Sequence, residues 1–157
     1  MSDDLPVEEV LTALEEYQQR TINLYREHAG DPEACVKGLV RLHLAWTEED
    51  PDRAKLVSRY RGPVMAGPGR ERLSASNAAY FEESKRWLKE SSESGAMPSV
   101  SFNILHALVF APTQELAKHW LGGRLKRRPT EYARPMGDAA WAGILAAGAA
   151  LEGGVKS

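Results

Sequence analysis

The chain has 157 residues, of which 43% are hydrophobic and 27% are charged, and its formal net charge is −2. A chain of this length and composition is typical of one globular domain, so we treat residues 1–157 as one domain. The near-zero charge excludes the broad attraction for nucleic acid that a basic domain has. The single cysteine, Cys35, excludes an internal disulfide and favours a reducing, cytoplasmic environment.

Hydrophobic periodicity predicts six helices and no strand. The first helix runs from about Pro6 to His28. The N-terminus lacks the order of basic, apolar and small residues that marks a signal peptide, so we expect none. The second begins at Pro32 after a cap at Asp31, and it ends at EEDPD, where Pro51 cannot continue the hydrogen-bond ladder. The third begins at that proline and is broken by GPVMAGPG.

The other three helices are predicted at about residues 68–94, 101–121 and 130–151. Pro112 lies inside the fifth helix, where we expect a kink. The apolar run 139–151 is too short to cross a bilayer, which needs roughly 20 residues, so we expect no membrane insertion. Short connections favour antiparallel neighbours, and the predicted fold is therefore an all-α bundle of about six helices.

Several motifs indicate surface or core roles rather than catalysis. The four histidines form neither H-E-x-x-H nor a pair at i, i+4, and Cys35 has no evident base. We therefore predict no metal site, no cofactor and no catalytic residue. AGPGRERL lacks the G-K-[ST] of a phosphate-binding loop. The basic segment 124–134 is interpreted as a solvated loop, because no aromatic platform accompanies it.

Aromatic and polar side chains from four helices are the strongest functional signal. They have two interpretations: an ordinary core, or a cavity that binds a flat or apolar small molecule. His43 and His106 likewise fit either a hydrogen-bonded core histidine or a cavity wall. Under the cavity interpretation, the predicted ligand-binding residues are Trp46, Tyr60, Tyr80, Trp87, Asn103, His106, Phe110 and Gln114.

Four segments carry a resemblance to a known family. They are LVRLHLAWTEEDPDRAKLVSRYRG, GPGRERLSASNAAYFEESKRWL, LVFAPTQELAKHWLGGR and AAWAGIL. Their order and spacing resemble the C-terminal half of tetracycline-repressor (TetR) family transcriptional regulators, over about residues 7–151. The resemblance implies a helical domain that binds a small-molecule effector and forms a homodimer.

In that family the last two long helices pair with their copies across a two-fold axis to form a four-helix bundle. By resemblance these are the fifth and sixth helices here. The implied interface residues are Pro112, Glu115, His119, Trp120, Trp141, Ile144, Leu145 and Gly148. The joint at EEDPD would end one wall of the cavity and place Tyr60, between two arginines, where it meets the ligand or a neighbouring domain.

One part of the family pattern has no counterpart in this chain. The family's N-terminal helix-turn-helix domain does not match any segment, so we expect no operator binding by this chain alone. A natural relative without that domain and a fragment of a longer regulator both fit. The chain would act as such a fragment or through mixed dimers with a full-length relative. We also expect part of the stripe formed by Val7, Val10, Leu11 and Leu14 to be exposed.

A second class of function uses the same cavity. A TetR-like protein without a DNA-binding domain would then serve as a small-molecule enzyme or carrier. Catalysis needs an acid and a base brought together, and the sequence offers only His106 with Tyr80 or Glu115.

Overall fold

Six helices follow one another in the computed structural model, which describes residues 5–152 and has no strand in that range. Helices α1 to α4 comprise Val7–Glu27, Pro32–Glu49, Pro51–Ala66 and Arg70–Glu93. Helix α5 continues without a break through Phe102–Leu105, His106–Phe110 and Ala111–Leu121. A 3-10 turn at Pro129–Tyr132 leads into α6, Ala133–Glu152. The predicted all-α bundle is confirmed.

The junctions before α2 and α3 are fixed by the same local chemistry. The Asp31 carboxylate accepts a hydrogen bond from the Ala34 N–H at 3.1 Å, and the Asp50 carboxylate accepts one from the Arg53 N–H at 3.0 Å. A proline occupies the first turn of each helix, where its missing N–H costs nothing. Both predicted helix starts are therefore confirmed.

Helix α3 extends further than the sequence predicts. It continues through Gly62 and Pro63 and ends at Ala66. Val64 is fully buried in that last turn, and the burial holds the turn helical despite the two helix-breaking residues before it. The break predicted at GPVMAGPG therefore occurs only at its second half.

A π turn interrupts the α-helical pattern of α5. Residues His106–Phe110 form this turn, and the Ala111 N–H donates to the His106 carbonyl, five residues back. The turn lies immediately before Pro112, whose ring would press on a carbonyl four residues earlier in a regular helix. The irregularity predicted at Pro112 therefore takes the form of a π turn within a continuous helix.

Helix α2 is the centre of the bundle, because it contacts α1, α3, α5 and α6. One hydrophobic core joins α2 to α6 and to parts of α1, α4 and α5. A second core lies between α1, α3 and α4 and contains Val10, Leu11 and Leu14. These three residues are buried under α3 and α4, whereas Val7 is half-buried, so the exposure expected for part of this stripe is limited to Val7.

The buried face of α6 consists mainly of small residues. Ala133, Gly137, Ala140, Ile144 and Gly148 recur every three or four positions and are all buried. Ile144 belongs to the core with α2, and a side chain at Gly148 would overlap the ring of Pro98. The prediction that Ile144 and Gly148 face a partner is therefore corrected, because the chain itself covers both residues.

The two glycines of α6 give a matched pair of variants. A Cβ at Gly148 would lie 2.6 Å from Cγ of Pro98, whereas one at Gly143 would meet Leu108 at an ordinary 3.5 Å. We expect Gly148→Ala to lower the free energy of unfolding by about 1–3 kcal/mol. Gly143→Ala should raise it by up to about 1 kcal/mol, because alanine is the better helix former. Urea denaturation of both variants tests this, and a stabilised Gly148→Ala would contradict the packing described.

Candidate functional site

A cavity with two adjoining lobes lies between α1, α2, α3, α4 and α5. One lobe, of about 220 Å³, is lined by many aromatic residues, and we call it the aromatic lobe. The other lobe, of about 250 Å³, is lined by Lys118, and we call it the lysine lobe. Both lobes are lined by His43, Trp46, Val57, Arg61 and Gln114. The central helix α2 therefore separates the first hydrophobic core from the cavity.

The aromatic lobe is built from rings on four helices. Tyr17 meets Trp46 edge to face at a centroid distance of 5.4 Å. Phe81 meets Phe102 in the same manner at 4.6 Å. The π turn brings His106 and Phe110 into a stack at 6.0 Å. The remaining lining residues of this lobe are Leu14, Gln18, Asn77 and Tyr80.

A partly buried hydrogen bond joins Tyr17 and His43 of this wall. His43 Nδ1 lies 2.9 Å from the hydroxyl oxygen of Tyr17. Burial lowers the pKa of His43 to about 4, so the imidazole is neutral at physiological pH. Burial also raises the pKa of Tyr17 well above its ordinary value, so that hydroxyl stays protonated. Nε2 of His43 has no hydrogen-bond partner among the described residues and is available to a ligand.

A second polar pair connects α1 to α4. Gln18, only 8% exposed, donates through Nε2 to Oδ1 of Asn77 at 2.7 Å and accepts a hydrogen bond from the Ser76 hydroxyl. Both ends of the Gln18 amide are thereby used, which fixes its orientation. The amide nitrogen of Asn77 is left for other partners.

Trp46 is the most unusual residue of the site. Its side chain is 4% exposed and lines both lobes, yet its indole Nε1 has no hydrogen-bond partner. The Arg53 guanidinium lies over its ring at 4.6 Å and donates to its backbone carbonyl at 3.1 Å. A buried donor without a partner costs about 1–3 kcal/mol of folding free energy. Nε1 of Trp87, in the first core, and Nε of Arg53 are likewise buried without a hydrogen-bond partner among the described residues.

The fixed charges of the cavity have one sign. Arg61 lines both lobes and Lys118 lines the lysine lobe, whereas no aspartate or glutamate lines either. The other residues of the lysine lobe are Thr47, Ala54, Ser58, Ala117 and Leu121. A ligand here would meet an aromatic surface on one side and a cationic one on the other.

Five of the eight predicted ligand-binding residues lie in the cavity wall. They are Trp46, Tyr80, His106, Phe110 and Gln114. His106 reaches the wall through the π turn, although much of its surface is exposed to solvent. The structure therefore brings together residues from α2, α4 and α5 that the sequence pattern had grouped.

The other three predicted residues lie elsewhere, and their assignment is corrected. Trp87 is buried in the first core, where its ring lies 5.2 Å from that of Tyr25. Tyr60 packs at the edge of the second core, with the Arg59 guanidinium 5.1 Å from its ring. Asn103 lines a shallow outer groove between α4 and α5. In each case the residue type was suitable, but its position on the helix directs it away from the cavity.

Several wall residues were not predicted from the sequence. Tyr17 and Gln18 lie on the buried side of α1. A polar residue next to the apolar positions of that helix was the feature of the sequence that could have indicated them. Arg61 follows Tyr60 on α3 and reaches the cavity in its place. Phe81 is 39% exposed at the edge of α4, although the pattern predicted an inward position. Asn77 and Phe102 complete this set, whereas His43 lines the cavity as the second of its two interpretations expected.

No hydrogen bond joins His106 to Tyr80 or to Glu115 among the described residues, although His106 and Tyr80 line the same lobe. Glu115 lies 3.0 Å from Nε2 of His119, and His106 stacks on Phe110. Within residues 5–152 no group of three or more histidine, cysteine, aspartate or glutamate side chains has the arrangement of a metal site. No helix in the same range has the length and apolar character needed to cross a membrane.

Comparison with known proteins adds no family assignment. Neither a protein-family model nor a curated protein matches the chain. The fold and the site define its class: an all-α bundle whose central helix separates a small-residue packed core from an aromatic cavity with a cationic side.

The buried His43 predicts a specific dependence of stability on pH. The folded state keeps His43 neutral down to about pH 4, whereas the unfolded chain protonates it near 6.5. The unfolded state therefore binds more protons between these values, and stability falls as the pH falls through this window. From pH 7 to pH 4.5 we expect a loss of about 2 kcal/mol from this residue.

The variant His43→Gln isolates this contribution, because carboxylates such as Glu15 and Glu49 titrate in both proteins. Urea denaturation at the two pH values should show the smaller loss in the variant. Equal losses in both proteins would mean that His43 is not buried neutral.

Proposed function

We propose that this chain is the effector-binding and dimerisation domain of a TetR-like regulator. It binds a small, largely apolar or aromatic molecule in the two-lobed cavity and pairs with a second copy of itself. The observation that carries the proposal is the cavity, which is enclosed by five helices and walled by aromatic rings. Such apolar cavities with a few placed polar groups are the usual form of small-molecule sites. The proposed location is the cytoplasm.

The outer face of α5 and α6 supports the dimer. Leu108 of α5 contacts Gly143 of α6, so the two helices lie side by side. Beyond the π turn of α5, Pro112, Glu115 and His119 share a helix face, at spacings of three and four residues. The outer positions of α6 are mostly small and exposed: Ala139, Ala142, Leu145, Ala146, Ala149 and Ala150.

This face resembles an interface more than an ordinary surface. Leu145 is 43% exposed, and the part of this face formed by residues 139–150 of α6 carries no charged side chain, which is uncommon on a monomer. Trp120 and Trp141 are half-buried and lie on the same two helices. Removing Ile144 and Gly148 from the predicted interface leaves Pro112, Glu115, His119, Trp120, Trp141 and Leu145 as its proposed residues.

A matched pair of alanine variants tests the dimer. Ala142 lies on the proposed face of α6, and Ala79 is an exposed position of α4 outside it. We expect the wild type to have twice the 17.3 kDa mass of the chain by light scattering. Ala142→Asp should give the monomer mass, because two buried carboxylates would meet near the axis. Ala79→Asp should remain dimeric, and a monomeric wild type would contradict the proposal.

Effector binding is tested with a neutral aromatic probe. We expect 2-naphthamide to bind one site per chain by calorimetry, with a Kd on the order of 10–100 µM for a ligand of that size. Gln114→Trp fills the junction of the lobes and should weaken binding roughly tenfold or more. Gln19→Trp, an equal substitution at an exposed position of α1, should leave it unchanged. Equal affinities for the two variants would place the probe outside the cavity.

A further inference from the structure

We infer that the ligand of this cavity is an anion, specifically a small planar aromatic carboxylate. Its ring would occupy the aromatic lobe, and its carboxylate would lie beside Arg61 and Lys118. The inference rests on the proposed function, since it names the chemical class of the effector for the same site. It is carried by three features of the wall: the sign of its charges, its surplus of donors and the size of its lobes.

The first feature is an uncompensated positive charge. Arg61 lines both lobes, Lys118 lines one, and neither forms an ion pair within residues 5–152. Both side chains are exposed, and what distinguishes them from other exposed cations without an ion pair in this range, such as Arg41 and Arg70, is that they line the cavity. No carboxylate lines the cavity. A ligand carboxylate would supply the missing negative charge, and the planar Arg61 guanidinium can bind it through two hydrogen bonds.

The electrostatic influence of Arg61 extends to the aromatic wall. Burial raises the pKa values of Tyr17 and Tyr80, and the positive charge of Arg61 acts against this rise in both. An ammonium group in the same place would be repelled by Arg61 and Lys118. The cavity therefore discriminates against a cationic ligand of the same shape.

The second feature is a surplus of hydrogen-bond donors over acceptors. Arg61 and Lys118 have donors only, and the Gln114 amide adds two donors and one acceptor oxygen. A carboxylate has two oxygens and about four acceptor positions, and no donor of its own. A carboxylate therefore complements the shared wall of the two lobes better than an amide, an alcohol or an amine does.

The third feature is the size and flatness of the lobes. Volumes of about 220 and 250 Å³ each lie below the roughly 300 Å³ at which pockets for drug-sized ligands begin. One or two fused rings would fill the aromatic lobe between Tyr17, Phe102 and Phe110. The edge-to-face rings of that wall favour a planar partner over a branched aliphatic one.

The experiment compares three probes of one shape and different charge. Isothermal titration calorimetry at pH 7.5 on the full chain would use 2-naphthoate, 2-naphthamide and 2-naphthylmethylammonium. We expect 2-naphthoate to bind about tenfold more tightly than 2-naphthamide, and the ammonium probe to bind most weakly. Raising the ionic strength should weaken 2-naphthoate alone, because Arg61 is exposed on one side.

Two neighbouring arginines supply the matched control. Arg61→Gln should weaken 2-naphthoate about tenfold and leave 2-naphthamide within about twofold, whereas Arg61→Lys should recover part of the loss. Arg59→Gln removes the same charge from the same helix outside the cavity and should change neither probe. Thermal unfolding midpoints of the three variants establish that each is folded.

The outcomes separate the two proposals. If 2-naphthamide binds as tightly as 2-naphthoate, or if Arg59→Gln and Arg61→Gln weaken 2-naphthoate equally, the anionic ligand is excluded and effector binding stands. If none of the three probes binds, both proposals fail together. The comparison of probes on the wild type decides the inference even where a variant does not fold.

Discussion

The packing of α2 against α6 is the constraint on which the rest of the bundle depends. Small residues on α6 allow this approach, and Gly137 lies so close to Lys37 that a Cβ there would meet its side chain at 3.2 Å. With one face of α2 held by α6, its opposite face is free to line the space between α1, α3, α4 and α5. The core and the cavity therefore lie on opposite faces of one helix, and a change in the packing of either displaces the residues that line the other.

The cavity wall and the first core each contain a tryptophan whose buried indole donor has no hydrogen-bond partner among the described residues. Trp46 keeps a buried donor unsatisfied, and His43 must remain uncharged to stay where it is. Apolar residues of similar size would avoid both penalties. A buried neutral histidine at the cavity wall departs from the rules of stable packing, and such departures are typical of sites maintained for binding rather than for stability. The proline-driven π turn adds a third irregularity at the same wall.

The sequence predicted the helices well, because helix starts depend on local chemistry. Asp31, Asp50 and the prolines after them act within one turn, so spacing alone identifies them. Wall residues depend on angles between helices, which local patterns do not contain. Trp87 and Tyr60 have the right side chains on the wrong faces, whereas Tyr17 and Arg61 are brought to the cavity by packing of α1 and α3. The extension of α3 to Ala66 shows the same effect, since burial of Val64 outweighs Gly62 and Pro63.

The π turn divides α5 into two angularly offset halves. A π turn holds one residue more than an α turn, so every side chain beyond it is rotated by about 100° relative to an uninterrupted helix. A regular heptad numbering carried across residues 102–121 would therefore assign wrong faces to one half. Removing a single residue inside His106–Phe110 would rotate the side chains of the following turns by about 100°, so the offset, as much as the residue types, decides which side chains of α5 meet the cavity.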